Sequence, residues 1–369
     1  MNDRDLPRFD DHPGAWLGPD MAAHPERWVW QLSARQIADI DATVARLDAS
    51  GRDIVTFTAA DAALPNLADD LAKMRHDVLD GIGFRLVRGV PVERYTTRQS
   101  AIAFWCFGAH FGEVVPQNAR GHLLGHVRDL GYDSTKATAR SYQTSDLLPF
   151  HCDTGGDVVA LLSLRTSKSG GLSGIVSSLS VYNAIAARRP DLLRALMQPT
   201  YRDRREEIPE GRGHWYPMPV FNVHDGRLIV SYSRSIIRKA QRHPEVPRIT
   251  PLLEEALDYL DTTALEPGLR LNMEFKPGDM QFLCHHTTLH SRTGFVDWEG
   301  EDKKRHLLRM WIACPDGPAL PDYFVEMQGL NAAGRPRGIC CPGAVFSAPL
   351  VVEDGGAGDA ARRRREAAA

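Results

Sequence analysis

The chain has 369 residues, of which 43% are hydrophobic and 25% charged, and its formal net charge is −3. Such a composition is ordinary for a soluble globular protein, and a small negative charge gives no general attraction to nucleic acid or to anionic lipid. No run approaches the roughly eighteen apolar residues of a membrane span, and the first residues lack the basic and apolar regions of a secretory signal. We therefore predict a cytoplasmic protein with no nucleic-acid partner and no membrane partner, and leave open whether it forms a homo-oligomer.

Six cysteines occur in the chain without any Cys-x-x-Cys pair. This spacing fits neither a disulfide framework nor a zinc ribbon in so long a chain. Cys340 and Cys341 are adjacent, which makes a disulfide between them geometrically awkward. A cysteine nucleophile is conceivable at Cys152 or Cys284, but the histidine beside each would point away from it on a strand. We expect all six cysteines to be reduced.

The first third of the sequence is mainly helical in pattern. Ser33 followed by Gln36 forms a capping box, and apolar residues at helical spacing after it predict a helix that ends near Gly51. Two further segments with helical periodicity follow, at about 67–79 and 98–111. Before the capping box the chain is rich in Pro, Asp and Trp, which indicates an extended arm whose tryptophans pack against the body of the protein.

After Gly112 the sequence changes to short β-like runs separated by Gly, Pro and Asn. Asp225-Gly226, between two alternating runs, predicts a two-residue hairpin turn. Helical insertions are expected at 185–197 and at 249–260. So many strands predict a mainly β protein with flanking helices (α+β), whose core is a closed or double-sheet antiparallel jelly roll.

The chain divides into three parts by composition. We expect an N-terminal arm with its capped helix at 1–52, packed on the core, and a jelly-roll domain with helical insertions at 53–350. The low-complexity tail at 351–369 should be disordered. Its arginines at 362–365 are interpreted as a solvated terminal charge run.

The first chemical signal is the tripeptide HCD. In an extended segment, residues two apart point to the same face, so the imidazole of His151 and the carboxylate of Asp153 aim at a common point. Together they supply two ligands of a facial triad, which needs one more histidine and leaves open positions on a non-haem iron(II). Because His-x-Asp is common by chance, the signal depends on the distal residues His290, Arg305 and Arg309.

Five motifs occur in order: HCD at 151–153, GGLS at 170–173, KPGD at 276–279, LHSR at 289–292 and RHLLR at 305–309. Their order and spacing resemble the taurine catabolism dioxygenase family, the iron(II)- and 2-oxoglutarate-dependent oxygenases that also include the 2,4-dichlorophenoxyacetate dioxygenases. The resemblance covers the chain from about Gly83 to Tyr323. It implies a double-stranded β-helix, the cupin-like jelly roll, with Fe(II) at one mouth, 2-oxoglutarate as cosubstrate and O2 as oxidant.

The resemblance also implies which residues form the site. His151, Asp153 and His290 match the metal ligands and therefore the catalytic centre. Ser173 lies where the family has a Thr or Ser that hydrogen-bonds the distal carboxylate of 2-oxoglutarate, and Arg305 lies where an arginine pairs with that carboxylate.

Arg309 matches a second family arginine, which meets an acidic substrate in some members, and we group it with the cosubstrate-binding residues. The planar fork of an arginine favours bidentate pairing with a carboxylate. Under the period of two in a strand, Arg305, Leu307 and Arg309 share one face, so both guanidinium groups can face one cavity.

The sequence departs from the family pattern before the distal histidine. His285 and His286 stand where the family often has an Asn pair, and either could compete with His290 as a ligand. In an unbroken strand His286 would share a face with His290, so the spacing does not exclude it. We favour His290 because Arg292 follows it and because its distance to Arg305 fits.

Other positions bear on the substrate. Leu147 stands where a taurine-cleaving enzyme would carry a polar Asn, which argues against taurine itself. Several loop residues are candidate pocket walls, each weighed against the simpler interpretation of an ordinary polar loop residue: Gln117, Asn118, His122, His126, Arg204, Arg205 and Tyr216.

Two functional hypotheses follow. The first is a 2-oxoglutarate-dependent dioxygenase that oxidises a small polar substrate resembling a carboxylic or amino acid. The alternative is a non-catalytic cupin-like protein that binds or senses a metal or small molecule. The clamp formed by Ser173 and Arg305 argues against the alternative, because a protein that binds only metal has no need of it.

Overall fold

The computed structural model describes residues 6–132 and 140–352. Its helices are α1 (Gly18–Ala23), α2 (Ala34–Ala49), α3 (Ala68–Leu79), α4 (Thr97–Phe111), α5 (Ser178–Arg188), α6 (Pro190–Leu196), α7 (Arg234–Ala240), α8 (Pro251–Ala264) and α9 (Tyr323–Gln328). Its strands are β1 (Val29–Gln31), β2 (Phe84–Arg88), β3 (Glu113–Val115), β4 (Gly125–Val127), β5 (Leu148–His151), β6 (Val158–Arg165), β7 (Ser169–Gly170), β8 (Ser173–Ser177), β9 (Pro199–Asp203), β10 (Trp215–Pro219), β11 (Phe221–His224), β12 (Arg227–Val230), β13 (Arg270–Met273), β14 (Met280–Cys284), β15 (Thr288–Arg292), β16 (Phe295–Val296) and β17 (His306–Ala313). Among the described helices, none combines the length and the hydrophobicity that crossing a bilayer requires.

Two sheets form the core. The larger has the order β1-β2-β14-β6-β17-β3, with β4 also paired to β17, and the smaller has the order β13-β8-β15-β5. Except for the parallel pair β1 and β2, the ladders of both sheets are antiparallel. The predicted double-sheet jelly roll with flanking helices is confirmed.

The pleat of β17 shows how the layers are arranged. Leu307 and Trp311 belong to a buried cluster that also contains Ile175 and Leu271 of the smaller sheet, so these side chains lie between the two sheets. The alternate residues of β17 pack with helices α2, α3 and α4 on the other face of the larger sheet. Helices α5, α6 and α8 cover the outer face of the smaller sheet. The protein therefore has four layers, in the order helices, larger sheet, smaller sheet and helices. In this arrangement the inner faces of β17 and β15 lie towards each other.

The predicted helices are present with small shifts in their ends. The capping box of Ser33 and Gln36 opens α2, and α3 and α4 match the predicted second and third helices. The predicted insertion at 185–197 is two helices, because Pro190 cannot continue α5 and instead occupies the first turn of α6. The first of these two helices also begins earlier than predicted, because the side-chain oxygen of Ser177 caps the start of α5.

The N-terminal arm contains the short helix α1 and the strand β1, and two of its tryptophans pack against β2. Trp16 and Trp28 are buried, and each packs against Phe84 of β2. The indole of Trp16 donates to the carbonyl of Ile82 at 2.8 Å. All but the first two residues of the tail predicted to be disordered lie outside the described residues.

Two turns with left-handed glycines give a test of the fold. Gly226 in the β11-β12 hairpin has φ of 73°, and a Cβ there would have no heavy atom within 4 Å. Gly278 in the KPGD turn has φ of 84°, and a Cβ there would lie 2.0 Å from the carbonyl oxygen of Val90. Strain acts at both turns, but only Gly278 adds a backbone clash.

We therefore expect Gly278→Ala to lower the free energy of unfolding by about 3 kcal/mol or more, because left-handed strain and overpacking add. Gly226→Ala is the matched control and should cost only about 1 kcal/mol, the strain alone. Urea unfolding of both variants measures the difference. Equal losses would show that the turn before β14 can move away from Val90.

Candidate active site

The antiparallel pairing of β5 with β15 brings two histidines together. His151 at the end of β5 lies directly opposite His290, and their ring centroids are 4.2 Å apart. The chain leaves β5 after His151, yet Asp153 still turns towards the same point, with 3.7 Å between its Oδ1 and Nε2 of His151. One ligand atom from each of His151, Asp153 and His290 lies within 4.8 Å of the other two.

The protonation states of this cluster suit a divalent metal. Burial lowers the pKa of His151, and burial followed by the charge of His151 lowers that of His290 well below its usual value. Burial acts to raise the pKa of the Asp153 carboxyl, but Arg309 and both imidazoles outweigh it and hold that pKa well below its usual range. Neutral imidazoles and an ionised carboxylate are the forms that bind metal. Two nitrogen donors and one oxygen donor fit a non-haem iron(II) site.

Second-layer hydrogen bonds orient the cluster. Nδ1 of His151 lies 2.9 Å from the carbonyl oxygen of Pro149, so an N–H donated there leaves Nε2 free to bind metal. Oδ2 of Asp153 accepts from the indole Nε1 of Trp311 at 2.7 Å and from Nη1 of Arg309 at 3.2 Å. Both donors engage Oδ2, and Oδ1 faces His151.

Gln117 fixes the position of Arg309. Its Oε1 accepts from Nε of Arg309 at 2.7 Å, and its Nε2 donates to the carbonyl oxygen of Arg309 at 2.8 Å. The guanidinium of Arg309 therefore serves the Asp153 carboxylate. Its predicted contact with the cosubstrate stays a prediction.

A second group of residues lies along the same cavity. Arg305 is 5% exposed, and it makes no ion pair with any described residue. Its Nη1 is buried without a hydrogen-bond partner, and its guanidinium lies 5.2 Å from the centre of the Phe295 ring. Arg292 lies 4.6 Å from the same ring, with Nε and Nη1 also unpartnered. Two buried cations that form no ion pair with a described residue are an arrangement that a bound anion would stabilise.

Burial, together with the charge of Arg292, lowers the pKa of Arg305 to about 9. Asp297 opposes this shift, but it accepts only the backbone N–H of Arg305, at 2.7 Å. Arg305 stays protonated near neutral pH and is poorly solvated. These are the properties of a guanidinium prepared for a carboxylate.

Ser173 lies at the same end of the cavity. It pairs with Arg292 across β8 and β15, and its Oγ lies 3.5 Å from Nε2 of Gln281. Gly171 before it has φ of 72°, and a Cβ there would come within 3.2 Å of Nε of Arg305. The glycines of the GGLS motif thus allow the backbone to pass close to the guanidinium.

All six predicted site residues line one cavity that is open to solvent. Aromatic and aliphatic residues form much of its remaining wall, with Tyr142, Phe150, Phe275 and Ile236 among them. Six arginines line it, while Asp153 is the single acid among the described lining residues. Arginines therefore outnumber acids on the described wall of the cavity.

The structure separates the alternatives that the sequence left open. Nε2 of His286 donates to Oδ1 of Asp157 at 2.8 Å, in a buried group that also includes Arg335. Neither His286 nor His285 lines the cavity. The chain turns between β14 and β15, so His286 does not share a strand face with His290. His290, which the spacing favoured, is the histidine that joins His151 and Asp153.

For most of the loop residues weighed as pocket walls, the structure agrees with the simpler interpretation, because they do not line the cavity. Gln117, Asn118, His122 and His126 are buried but do not line the cavity. Arg204 instead binds the carbonyl oxygens of Glu326 and Met327 and lies 4.5 Å from the ring of Tyr216. Of the suggested loop residues, only Arg205 reaches the cavity.

Trp311, Tyr142 and Arg140 were missed. Trp311 could have been found, because it continues the inward face of Arg305, Leu307 and Arg309 by two residues. Tyr142 and Arg140 lie in a segment without a motif, and nothing in the sequence marks them.

Comparison with known proteins agrees with this geometry. Residues 49–311 match the family described as "Taurine catabolism dioxygenase TauD, TfdA family". The FR-33289 synthase of Streptomyces rubellomurinus (strain ATCC 31215) is 29% identical over 320 residues, which cover 84% of this chain and 92% of that protein.

Solved structures share the fold. An asparagine oxygenase in complex with Fe(II), 2S,3S-3-hydroxyasparagine and succinate is 18% identical with a TM-score of 0.60, covering 78% of this chain and 94% of that one. The non-heme iron oxygenase OrfP, in complex with Fe, succinate and (3S)-hydroxy-L-Arg, is 15% identical with a TM-score of 0.59, covering 77% of this chain and 94% of that one. Together with the match over most of its length, the fold and the His-Asp-His cluster establish that the chain belongs to the taurine catabolism dioxygenase TauD, TfdA family and is a 2-oxoglutarate-dependent dioxygenase that uses Fe(II).

Proposed function

We propose that the protein couples the decarboxylation of 2-oxoglutarate, giving succinate and CO2, with hydroxylation or a related oxidation of a small polar substrate that resembles a carboxylic or amino acid. The observation that carries this proposal is the presence, in one cavity, of a His-Asp-His cluster and a buried guanidinium that has no acidic partner among the described residues. When bound, iron(II), 2-oxoglutarate and O2 supply the oxidant that attacks a C–H bond.

In this proposal His151, Asp153 and His290 hold the iron. Three protein ligands leave the remaining positions for small molecules. The hydrogen bonds from Trp311 and Arg309 fix the Asp153 carboxylate before any metal arrives, which limits the reorganisation that binding requires.

Arg305 and Ser173 would bind the distal carboxylate of 2-oxoglutarate. The unpartnered Nη1 of Arg305 lies in a cavity wall next to the Ser173 side of β8, and the Phe295 ring supports the guanidinium from one face. A carboxylate there would receive charge-assisted hydrogen bonds in a partly dehydrated site, where they are strong. Arg292 adds a second positive charge, held in place by the carbonyl oxygens of Thr144 and Asp146.

The remaining cavity would hold the primary substrate. Its apolar wall would position the reacting bond near the His-Asp-His cluster. The complexes of the solved relatives contain hydroxylated asparagine and hydroxylated arginine, which supports a small polar substrate for this chain. A metal-binding protein without turnover is the disfavoured alternative, because it would not need the cation at Arg305.

A panel of amino acids and small carboxylic acids tests the proposal. We expect at least one compound to stimulate succinate release from 2-oxoglutarate in the presence of Fe(II) and O2, with an oxygen atom added to that compound. Omission of Fe(II) is the control. Binding of 2-oxoglutarate without succinate release under any condition would favour the non-catalytic alternative.

A further inference from the structure

Most arginines that line the cavity have an acidic partner among the described residues or a proposed role in binding 2-oxoglutarate, but one has neither. Three of the lining arginines already pair with acids. Arg309 pairs with Asp153, and Arg140 pairs with Glu207. Arg234 pairs with Glu254 and with two aspartates. Arg305 and Arg292 lie together beside Phe295, where the proposed function places the cosubstrate carboxylate. One lining arginine, Arg205, remains outside both groups.

Arg205 has no acidic partner within the described residues. Its side chain makes no hydrogen bond or ion pair there, and its buried Nε is unpartnered. Burial lowers the pKa of Arg205, and the nearby charge of Arg140 lowers it further, while Glu207 acts in the opposite direction. Glu207 is occupied by Arg140 and by the backbone N–H of Ala119. The guanidinium is therefore partly buried and electrostatically unbalanced.

The backbone at Arg205 and Glu206 is strained. Arg205 and Glu206 have φ of 53° and 64°, which is the left-handed region that non-glycine residues rarely adopt. The Asp203 carboxylate at the end of β9 accepts the backbone N–H of Arg205 and is itself buried and paired with Arg242 and His243. Such strain persists only where the surrounding structure enforces it, and it is concentrated at functional sites.

Arg205 lies in a different part of the cavity from Arg305. Thr154, which directly follows Asp153, lines with Arg205 both this cavity and a smaller neighbouring one, so Arg205 belongs to the wall on the Asp153 side. Tyr142 links the same side, with its ring 4.4 Å from the guanidinium of Arg309 and 5.8 Å from that of Arg140. The charged groups near Arg305 are instead Arg292 and Asp297.

We infer that Arg205 is the anchor for an oxyanion of the primary substrate, a carboxylate or a phosphoryl group, bound while 2-oxoglutarate occupies Arg305. The inference rests on the proposed function and assigns a specificity-determining residue to it. An oxyanion at this position would pair with the unbalanced cation and receive charge-assisted hydrogen bonds from it. It would also fix the substrate on the Asp153 side of the His-Asp-His cluster.

The test uses the full-length enzyme loaded anaerobically with Fe(II) and saturating 2-oxoglutarate, so that the Arg305 site is already filled. Acetate, inorganic phosphate and neutral acetamide are titrated at constant ionic strength, and binding is followed by calorimetry. The variants are Arg205→Gln and Arg205→Lys. Arg212→Ala, on the same β9-β10 connection but outside the cavity, is the matched control.

We expect acetate or phosphate, but not acetamide, to bind the wild-type protein. Arg205→Gln should weaken that binding about tenfold or more, Arg205→Lys should weaken it less, and Arg212→Ala should leave it unchanged. Preference for acetate identifies a carboxylate substrate, and preference for phosphate a phosphoryl substrate. Anion binding that is absent, or equal in wild type and Arg205→Gln, overturns the inference. Unchanged 2-oxoglutarate affinity in each variant shows that the fold is intact, whereas failure of the wild type to bind 2-oxoglutarate contradicts the proposed function instead.

Discussion

Asp153→Ala is expected to abolish Fe(II)-dependent succinate formation. The substitution removes the only carboxylate ligand of the His-Asp-His cluster. It also leaves the buried guanidinium of Arg309 without its acid, and an uncompensated buried charge is strongly destabilising. We therefore expect loss of both metal affinity and turnover, measured by anaerobic Fe(II) titration and by succinate assay.

Trp311→Phe is the graded control for that experiment. It keeps the carboxylate and the aromatic packing but removes one hydrogen bond to Oδ2 of Asp153. Loss of such an outer-layer partner should weaken metal binding or activity by about 10-fold to 100-fold. An Asp153→Ala protein that folds and retains full activity would place the metal elsewhere.

Arg305→Ala is expected to raise the concentration of 2-oxoglutarate needed for half-maximal turnover by about 100-fold. The loss of a buried charge-assisted hydrogen bond to a carboxylate costs about 3 kcal/mol, and each 1.4 kcal/mol corresponds to about a factor of ten. Because Arg305 is not one of the His-Asp-His ligands, the affinity for Fe(II) should change little. Steady-state kinetics at saturating Fe(II), with direct 2-oxoglutarate titration, measures both effects.

Two variants sharpen the interpretation of Arg305. Arg305→Lys keeps the charge but loses the planar fork, so its 2-oxoglutarate requirement should lie between wild type and Arg305→Ala. Arg227→Ala removes an exposed arginine of the β11-β12 hairpin, which pairs with Asp80, and should have no effect. A normal 2-oxoglutarate requirement in Arg305→Ala would move the cosubstrate carboxylate to Arg292 or Arg309.

The motif residues could be predicted because short-range geometry determines where they point. The period of two placed Arg305 and Arg309 on one strand face, and both line the cavity. The same rule could not exclude His286, because the sequence does not show that the chain turns between β14 and β15. The choice of His290 depended on its spacing to later residues, and the pairing of β15 with β5 supplies the physical reason.

Contacts between distant segments could not be predicted in this way. Gln117 was suggested as a pocket wall, yet it does not line the cavity and instead accepts a hydrogen bond from Arg309, which does. Arg205 carries no motif, and its position depends on how Asp203 organises the turn after β9. A sequence pattern predicts on which face of its own helix or strand a residue lies, but it does not predict which other element packs against that face.

Anaerobic titration of the protein with 2-oxoglutarate, with and without Fe(II), tests the central claim most directly. We predict one equivalent of 2-oxoglutarate bound per chain, tighter with Fe(II) than without it, a weak visible absorption band that appears only when both are present, and succinate release when O2 is admitted. Absence of 2-oxoglutarate binding at millimolar concentrations, or binding that Fe(II) does not affect, would contradict a site in which His151, Asp153, His290 and Arg305 act together.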